Sequence, residues 1–255
     1  VNTFRVALIS NLVTGDIAEN QRRILTLANQ AADSGARLIV FPEAAATDLI
    51  NTGDPEQDRL VAESIPASRN EQWRQLAVAR EVYLAAGLLE RDGEKLYDTG
   101  ILFDPQGKLV LRYRRNDPGW HYAADDPAVY CQGSEIPVVQ TEFGSVGMLI
   151  CGDLWDDKIL NRFSGNRPDY LIYIMSRSLA TSDKIQQVWS EEELPAYRER
   201  WNKTGASVLA VNLYGGEERE VSIGGAWFVD NRGVVLDSLP LGQEGILMVD
   251  LPISR

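Results

Sequence analysis

Histidine is almost absent from this chain. His121 is the single one in 255 residues, so a multi-histidine metal centre is excluded, and no metal site is expected. The same scarcity argues against a metal-dependent phosphoesterase, a class that can share a layered sandwich fold. Cysteine is nearly as rare. Cys131 and Cys151 alone build no disulfide framework, and such usage fits a reducing compartment. No apolar run approaches the roughly 20 residues that a membrane helix needs. No basic segment with a cleavage signal precedes the first apolar stretch, so a cytoplasmic location is the expectation. Basic residues are also in short supply: 25 Lys and Arg face 37 Asp and Glu, a formal net charge of −12. That balance disfavours nucleic acid and anionic membrane as partners, since both require a basic face.

What is present is an alternation of short apolar runs with amphipathic segments. "FRVALIS" (4–10) reads as a buried strand. "GDIAENQRRILTLANQAADSGA" reads as a helix opened by Asp16 and Glu19 and stopped at Gly35, and "ARLIVFPE" (36–43) as a second buried strand. A chain that opens β-α-β implies parallel neighbours joined by a helical crossover. Residues 50–66 are polar enough for loop or a short helix. Ser68 and Glu71 form a capping-box pattern for a helix over 68–83, and "YLAAGLLE" follows as a strand. Three hairpins are expected at 99–115, 136–151 and 224–239, the first turned by Pro105-Gln106-Gly107 and the second at Gly144. A short helix is expected at 156–163, and a longer one over about 190–203, capped by Ser190 and Glu193 and ended by Gly205. "DYLIYIMS", "SVLAVNLYG" and "GILMVDL" complete the strands. No repeat, low-complexity tract or linker interrupts the chain, so residues 1–255 are expected to form one α/β domain, two packed sheets with helices outside.

Three residues at the ends of apolar runs could carry chemistry. Cys151 closes "VGMLICGDLW"; it is either a small core residue or a nucleophile at a strand tip, with Gly152 freeing a tight bend and Asp153 bracing it. Glu43 ends "RLIVFPE", either where a strand merely surfaces or as a general base at the carboxyl end of a sheet. Arg115 ends "KLVLRYRRND", either within a solvated basic cluster or as a cation for an oxyanion. A carboxylate, a cation and a thiol would make a complete acyl-transfer set. Two weaker candidates are Trp155, either core packing or a pocket wall, and Arg177, either a surface charge or, at its strand end, a partner for a substrate anion. His121 reads as structural or rim, and Cys131 receives no role.

Together these stretches resemble the nitrilase, or carbon–nitrogen hydrolase, superfamily. "LIVFPEAA" is similar to its glutamate motif, "GILFDPQGKLVLRYRR" to its lysine motif and "GSVGMLICGD" to its cysteine motif. "RERWN…VLAVNLYG" and "GGAWFVDNRGVVL" are similar to the segments that follow. The resemblance implies a four-layer α-β-β-α sandwich, a homodimer or larger assembly, and cofactor-free attack on non-peptide C–N bonds through a covalent intermediate on Cys151, with Glu43 as base. The substrate it implies is a small molecule. Two departures stand out. Arg115 occupies the position of the family's lysine, and guanidinium is bulkier than ammonium and permanently charged. The nearest candidates for the family's second glutamate are Asp126 and Asp125, and Trp201-Asn202 replaces a late Glu-Asn pair. The alternative these departures raise is a catalytically weak or inactive relative that acts as a ligand- or protein-binding module.

Overall fold

In the computed structural model, which describes residues 3–48, 51–179, 184–215 and 221–252, the chain opens with strand β1 (Thr3–Ser10), the short β2 (Leu12–Val13), helix α1 (Ile17–Asp33) and strand β3 (Leu38–Val40). Asp16 caps α1 by accepting from the Glu19 N–H at 3.0 Å. β1 and β3 run parallel, with Val6 opposite Leu38. The second ladder is shorter than its apolar run because Pro42 has no N–H to continue it. Next come α2 (Pro55–Val61), within the polar stretch, and α3 (Ser68–Arg80). The cap of α3 differs from the expected Ser68–Glu71 box. Ala67 is the N-cap residue, and the Glu63 carboxylate accepts from Arg69 N at 2.7 Å and Asn70 N at 3.2 Å. A buried carboxylate is the stronger acceptor for these orphan donors, and the Ser68 hydroxyl itself points at Glu63.

β4 (Tyr83–Asp92), β5 (Lys95–Phe103) and β6 (Leu109–Arg114) form an antiparallel meander. β5 begins four residues before the expected Thr99, because the turn at Gly93 sits inside the polar run 91–95. β7 (Val138–Thr141) and β8 (Gly144–Ile150) make the second hairpin. α4 (Asp157–Asn161), β9 (Tyr170–Met175), β10 (Ser178–Leu179), α5 (Ile185–Val188) and α6 (Leu194–Thr204) follow. The expected helix over 190–203 is also different. A π-helical turn, Trp189–Glu193, joins α5 to α6, and Ser190 is inside it, donating to the Gln187 carbonyl at 3.1 Å. Pro195 cannot donate to the preceding turn, and a widened turn lets the helix pass it. Gly205 ends α6 at φ +64°. The chain finishes with β11 (Ser207–Asn212), β12 (Tyr214–Gly215), β13 (Val221–Ile223), β14 (Ala226–Val229), β15 (Val235–Leu239) and β16 (Gly245–Pro252).

Two six-stranded sheets result, ordered β16-β1-β3-β4-β5-β6 and β15-β14-β11-β9-β8-β7, with a small sheet β10-β13-β12-β2 at one side. Both faces of the central strands are covered, which is why they read as unbroken apolar runs rather than alternating ones. Phe4, Val6 and Leu8 of β1 join Met148, Ile150, Ile172 and Ile174 in the core between the sheets. Ala7 and Ile9 point the other way, to Ile24 and Ala28 of α1 and Trp73 of α3. Tyr197 and Trp201 bury α6 on the outer face of the second sheet, beside Trp189 and Trp227. The architecture is thus a four-layer α-β-β-α sandwich. Among the described residues no helix is long and apolar enough to cross a membrane.

Candidate active site

Glu43 sits in a tight turn just past β3, with Ala44 at φ +44°. The turn lies flat on β4: Gly87 N donates to the Pro42 carbonyl at 2.9 Å and Ala45 N to the Gly87 carbonyl at 3.1 Å. A Cβ at position 87 would stand 2.6 Å from the Glu43 Cα, so only glycine lets the turn approach. The Glu43 side chain is fully buried and reaches the other sheet, where its Oε2 accepts from Ser176 N at 2.6 Å. Gly87→Ala should therefore displace Glu43 and cost about 1–3 kcal/mol of stability through overpacking. Urea midpoints check this against Gly15→Ala, where nothing lies within 4 Å of the added atom.

Cys151 follows β8 at φ +42°, a left-handed conformation that is strained for a non-glycine residue and turns the chain sharply. Asp153 holds this bend. Its buried carboxylate accepts from Ile150 N (3.0 Å), Asn116 N (3.0 Å), Asp117 N (2.7 Å) and the Tyr113 hydroxyl (2.6 Å). Burial lifts the Asp153 carboxyl to about 6, although these donors pull the other way. The same carboxylate thereby ties the segment after β6 to the cysteine turn. The Tyr173 hydroxyl donates to the Cys151 carbonyl at 2.8 Å.

Arg115 enters from the end of β6 and is almost fully buried. Its Nη1 donates to Glu43 Oε1 at 3.0 Å and lies 3.4 Å from Asp98 Oδ2, while Nη2 donates to Asp117 Oδ1 at 2.8 Å. Gly152 lies beneath it: a Cβ there would fall 2.1 Å from Asp117 Oδ1 and 2.4 Å from Arg115 Nη2, so an added side chain would push this ion pair aside. Burial opposes the guanidinium charge, but Glu43, Cys151 and Asp98 more than offset it and strengthen the hold on the proton. Burial, followed by the Glu43 charge, pushes the Asp98 carboxyl well above the usual carboxylate range. Burial also pushes the Cys151 thiol up. Glu43 adds to this and Arg115 works against it, so the resting nucleophile is a thiol.

A cavity of about 490 Å³ opens at Cys151 and Gly152, walled by Trp155, Arg177, Glu192, Glu193, Ala196 and Tyr197. Trp155 and Arg177 thus border it as neighbours of Cys151, with Trp155 exposed and edge-on to Tyr197. Asp126 is elsewhere: it is exposed, its carboxylate accepts from Ala128 N, and it caps a surface turn. Asp125 likewise holds a turn, accepting from Tyr122 N and Asn51 Nδ2. The carboxylates that flank Arg115 are instead Asp98 and Asp117, neither of which the sequence reading singled out. An acid in a strand core was the available signal for Asp98, and the assumed start of β5 at Thr99 hid it. His121 bonds Gln132 and the Tyr122 carbonyl, away from the cavity wall.

Residues 5–255 match the family model for carbon–nitrogen hydrolase. Over 177 residues, 67% of this chain, the sequence is 29% identical to omega-amidase NIT2 of Xenopus tropicalis, and the match covers 62% of that protein. It is 32% identical over 170 residues to an aliphatic nitrilase of Sinorhizobium fredii, covering 58% of this chain and 52% of that one. The chain thus spans about half to three-fifths of the length of these curated relatives. Among solved structures, an amidase from Nesterenkonia sp. superposes with a TM-score of 0.79 at 23% identity, over 98% of this chain and 90% of the other, a likeness of fold. A mutant of that amidase carries the acetamide moiety of fluoroacetamide at its active site cysteine.

Proposed function

The chain belongs to the carbon–nitrogen hydrolase family, and on that premise we propose that it hydrolyses a non-peptide C–N bond, an amide or a close relative, through a covalent acyl-enzyme on Cys151. The observation that carries this reading is the buried Arg115–Glu43 pair, Nη1 to Oε1 at 3.0 Å, whose guanidinium lies against Gly152, next to the Cys151 that borders the cavity. Glu43 takes the thiol proton as the sulfur attacks the carbonyl carbon. The tetrahedral oxyanion collapses, the C–N bond breaks, and the proton passes from Glu43 to the leaving amine. Water then attacks the thioester with Glu43 again as base, releasing the acid and restoring the thiol. Arg115, in the place where the family carries lysine, supplies the positive charge beside the oxyanion. Asp98 and Asp117 hold that guanidinium in position. No cofactor enters these steps.

One observation favours a second reading, a weak or inactive relative that binds a ligand. Both terminal nitrogens of Arg115 already face carboxylates. A single experiment separates the two. The protein is mixed with fluoroacetamide and with a panel of aliphatic amides, and ammonia release and intact mass are followed. Hydrolysis predicts ammonia from at least one amide and an acetamide adduct on Cys151 before Cys131. Thermal stabilisation by an amide with neither ammonia nor adduct would favour the binding module.

A further inference from the structure

We propose that the cavity beside Cys151 selects a substrate bearing a positive charge, an amide whose chain ends in an ammonium or guanidinium group; this rests on the hydrolytic reading above. Among the described residues the cavity wall holds one cation, Arg177, and two carboxylates, Glu192 and Glu193. Arg177 is already matched. Its Nη2 donates to Glu193 Oε1 at 2.8 Å and its Nε to Glu193 Oε2 at 3.3 Å, a fork-to-fork pair. Its backbone is fixed as well: Arg177 N donates to Asn212 Oδ1 at 2.7 Å, and Asn212 Nδ2 to the Arg177 carbonyl at 3.1 Å. The pair therefore spends the positive charge that a carboxylate substrate would seek. With that pair neutral, Glu192 leaves the wall one negative charge.

Aromatic surface completes the wall. Trp155 is 46% exposed, and its ring stands 5.0 Å from that of Tyr197. Arg200 approaches the Trp155 ring at 5.9 Å, so a cationic side chain already uses part of this π surface. A substrate cation would gain from Glu192 and from the exposed indole. A substrate carboxylate would have to break the Arg177–Glu193 pair and then lie against two glutamates. Both glutamates face the cavity through the π turn before Pro195, a wide turn of the kind found at functional sites.

Three amides of matched length test the proposal: 5-aminopentanamide (cationic), pentanamide (neutral) and the monoamide of glutaric acid (anionic). We expect kcat/KM for the cation to exceed that for the neutral amide by about tenfold, the combined effect of one exposed ion pair and one exposed cation–π contact. The anionic amide should be the poorest. Glu192→Gln should shrink the cation-to-neutral ratio, and so should high salt. Calorimetric affinities of the same three amides for the Cys151→Ala protein read the preference without turnover. Absence of hydrolysis would then count against the proposed function alone. Equal affinities, or tighter binding of the anionic amide, would overturn the charge preference itself.

Discussion

Replacing Cys151 by alanine should remove the proposed hydrolysis and leave the fold standing. The thiol is the atom that becomes covalently bound in the proposed reaction, and loss of a nucleophile that works as part of a unit costs on the order of a million-fold in turnover. Ammonia release in the variant should fall to the uncatalysed background. The stability cost should be small, because Cys151 borders a cavity and alanine accepts the same φ of +42° with the same strain. Urea midpoints of parent and variant check this second half. Cys151→Ser should be equally inactive, since a hydroxyl gives up its proton less readily than the thiol. The pH dependence has a definite sign. Burial and the Glu43 charge raise the thiol's pKa, so the thiolate fraction of the free protein is low at neutrality and grows with pH. Alkylation of Cys151 by iodoacetamide should keep rising through pH 9 without a plateau. A rate already level at pH 7 would mean a thiolate at rest, and hydrolysis surviving in Cys151→Ala would end the covalent mechanism.

The residues legible in the sequence are those at the ends of long apolar runs. Glu43 and Cys151 stand out because strands that are buried on both faces carry no other polar residue before the chain surfaces. The layered fold was legible for the same reason, together with the helical pattern of residues 17–33. What escaped depends on contacts between distant segments. Gly87 lies within an ordinary strand, and only the turn at Glu43, some forty residues away in the chain, makes it indispensable. Asp98 and Asp117 were passed over because chain position pointed to Asp126, whereas the partners of a buried guanidinium are set by which strands are neighbours. The sequence pattern places Ser190 and Glu193 as caps of a helix over about 190–203. The demands of Pro195 produced a π turn instead, and with it a different cavity wall. The α3 cap failed likewise: a carboxylate from the preceding loop outcompetes the local serine.

Arg115→Ala should be the most damaging single change at the site that spares the nucleophile. In the parent, one guanidinium answers Glu43 and Asp98 with Nη1 and Asp117 with Nη2. Glu43 and Asp98 are fully buried and Arg115 nearly so, so removing the cation leaves buried carboxyl groups without a counter-charge. Breaking one side of such a buried pair costs about 3–5 kcal/mol. The deficit should be smallest at acid pH and grow as pH rises. The lost cation raises the folded-state pKa of Asp98 still further above its unfolded value, and protonation relieves the unpaired charge. Turnover should drop by roughly two to three decades, the usual loss for one oxyanion donor. Arg115→Lys separates the two parts of this role. An ammonium is a compact point charge and cannot span the two opposed groups of carboxylates as the planar fork does. It should recover the charge beside Glu43, and so part of the turnover, while Asp117 and much of the stability stay unsupported. In a protein that only binds its ligand, the same substitution would move the urea midpoint and leave no hydrolysis to change. Ammonia release and urea midpoints for the three proteins, each at pH 5 and pH 8, decide the matter. If Arg115→Ala kept both the turnover and the midpoint of the parent, the buried guanidinium would have no part in either catalysis or the integrity of the site.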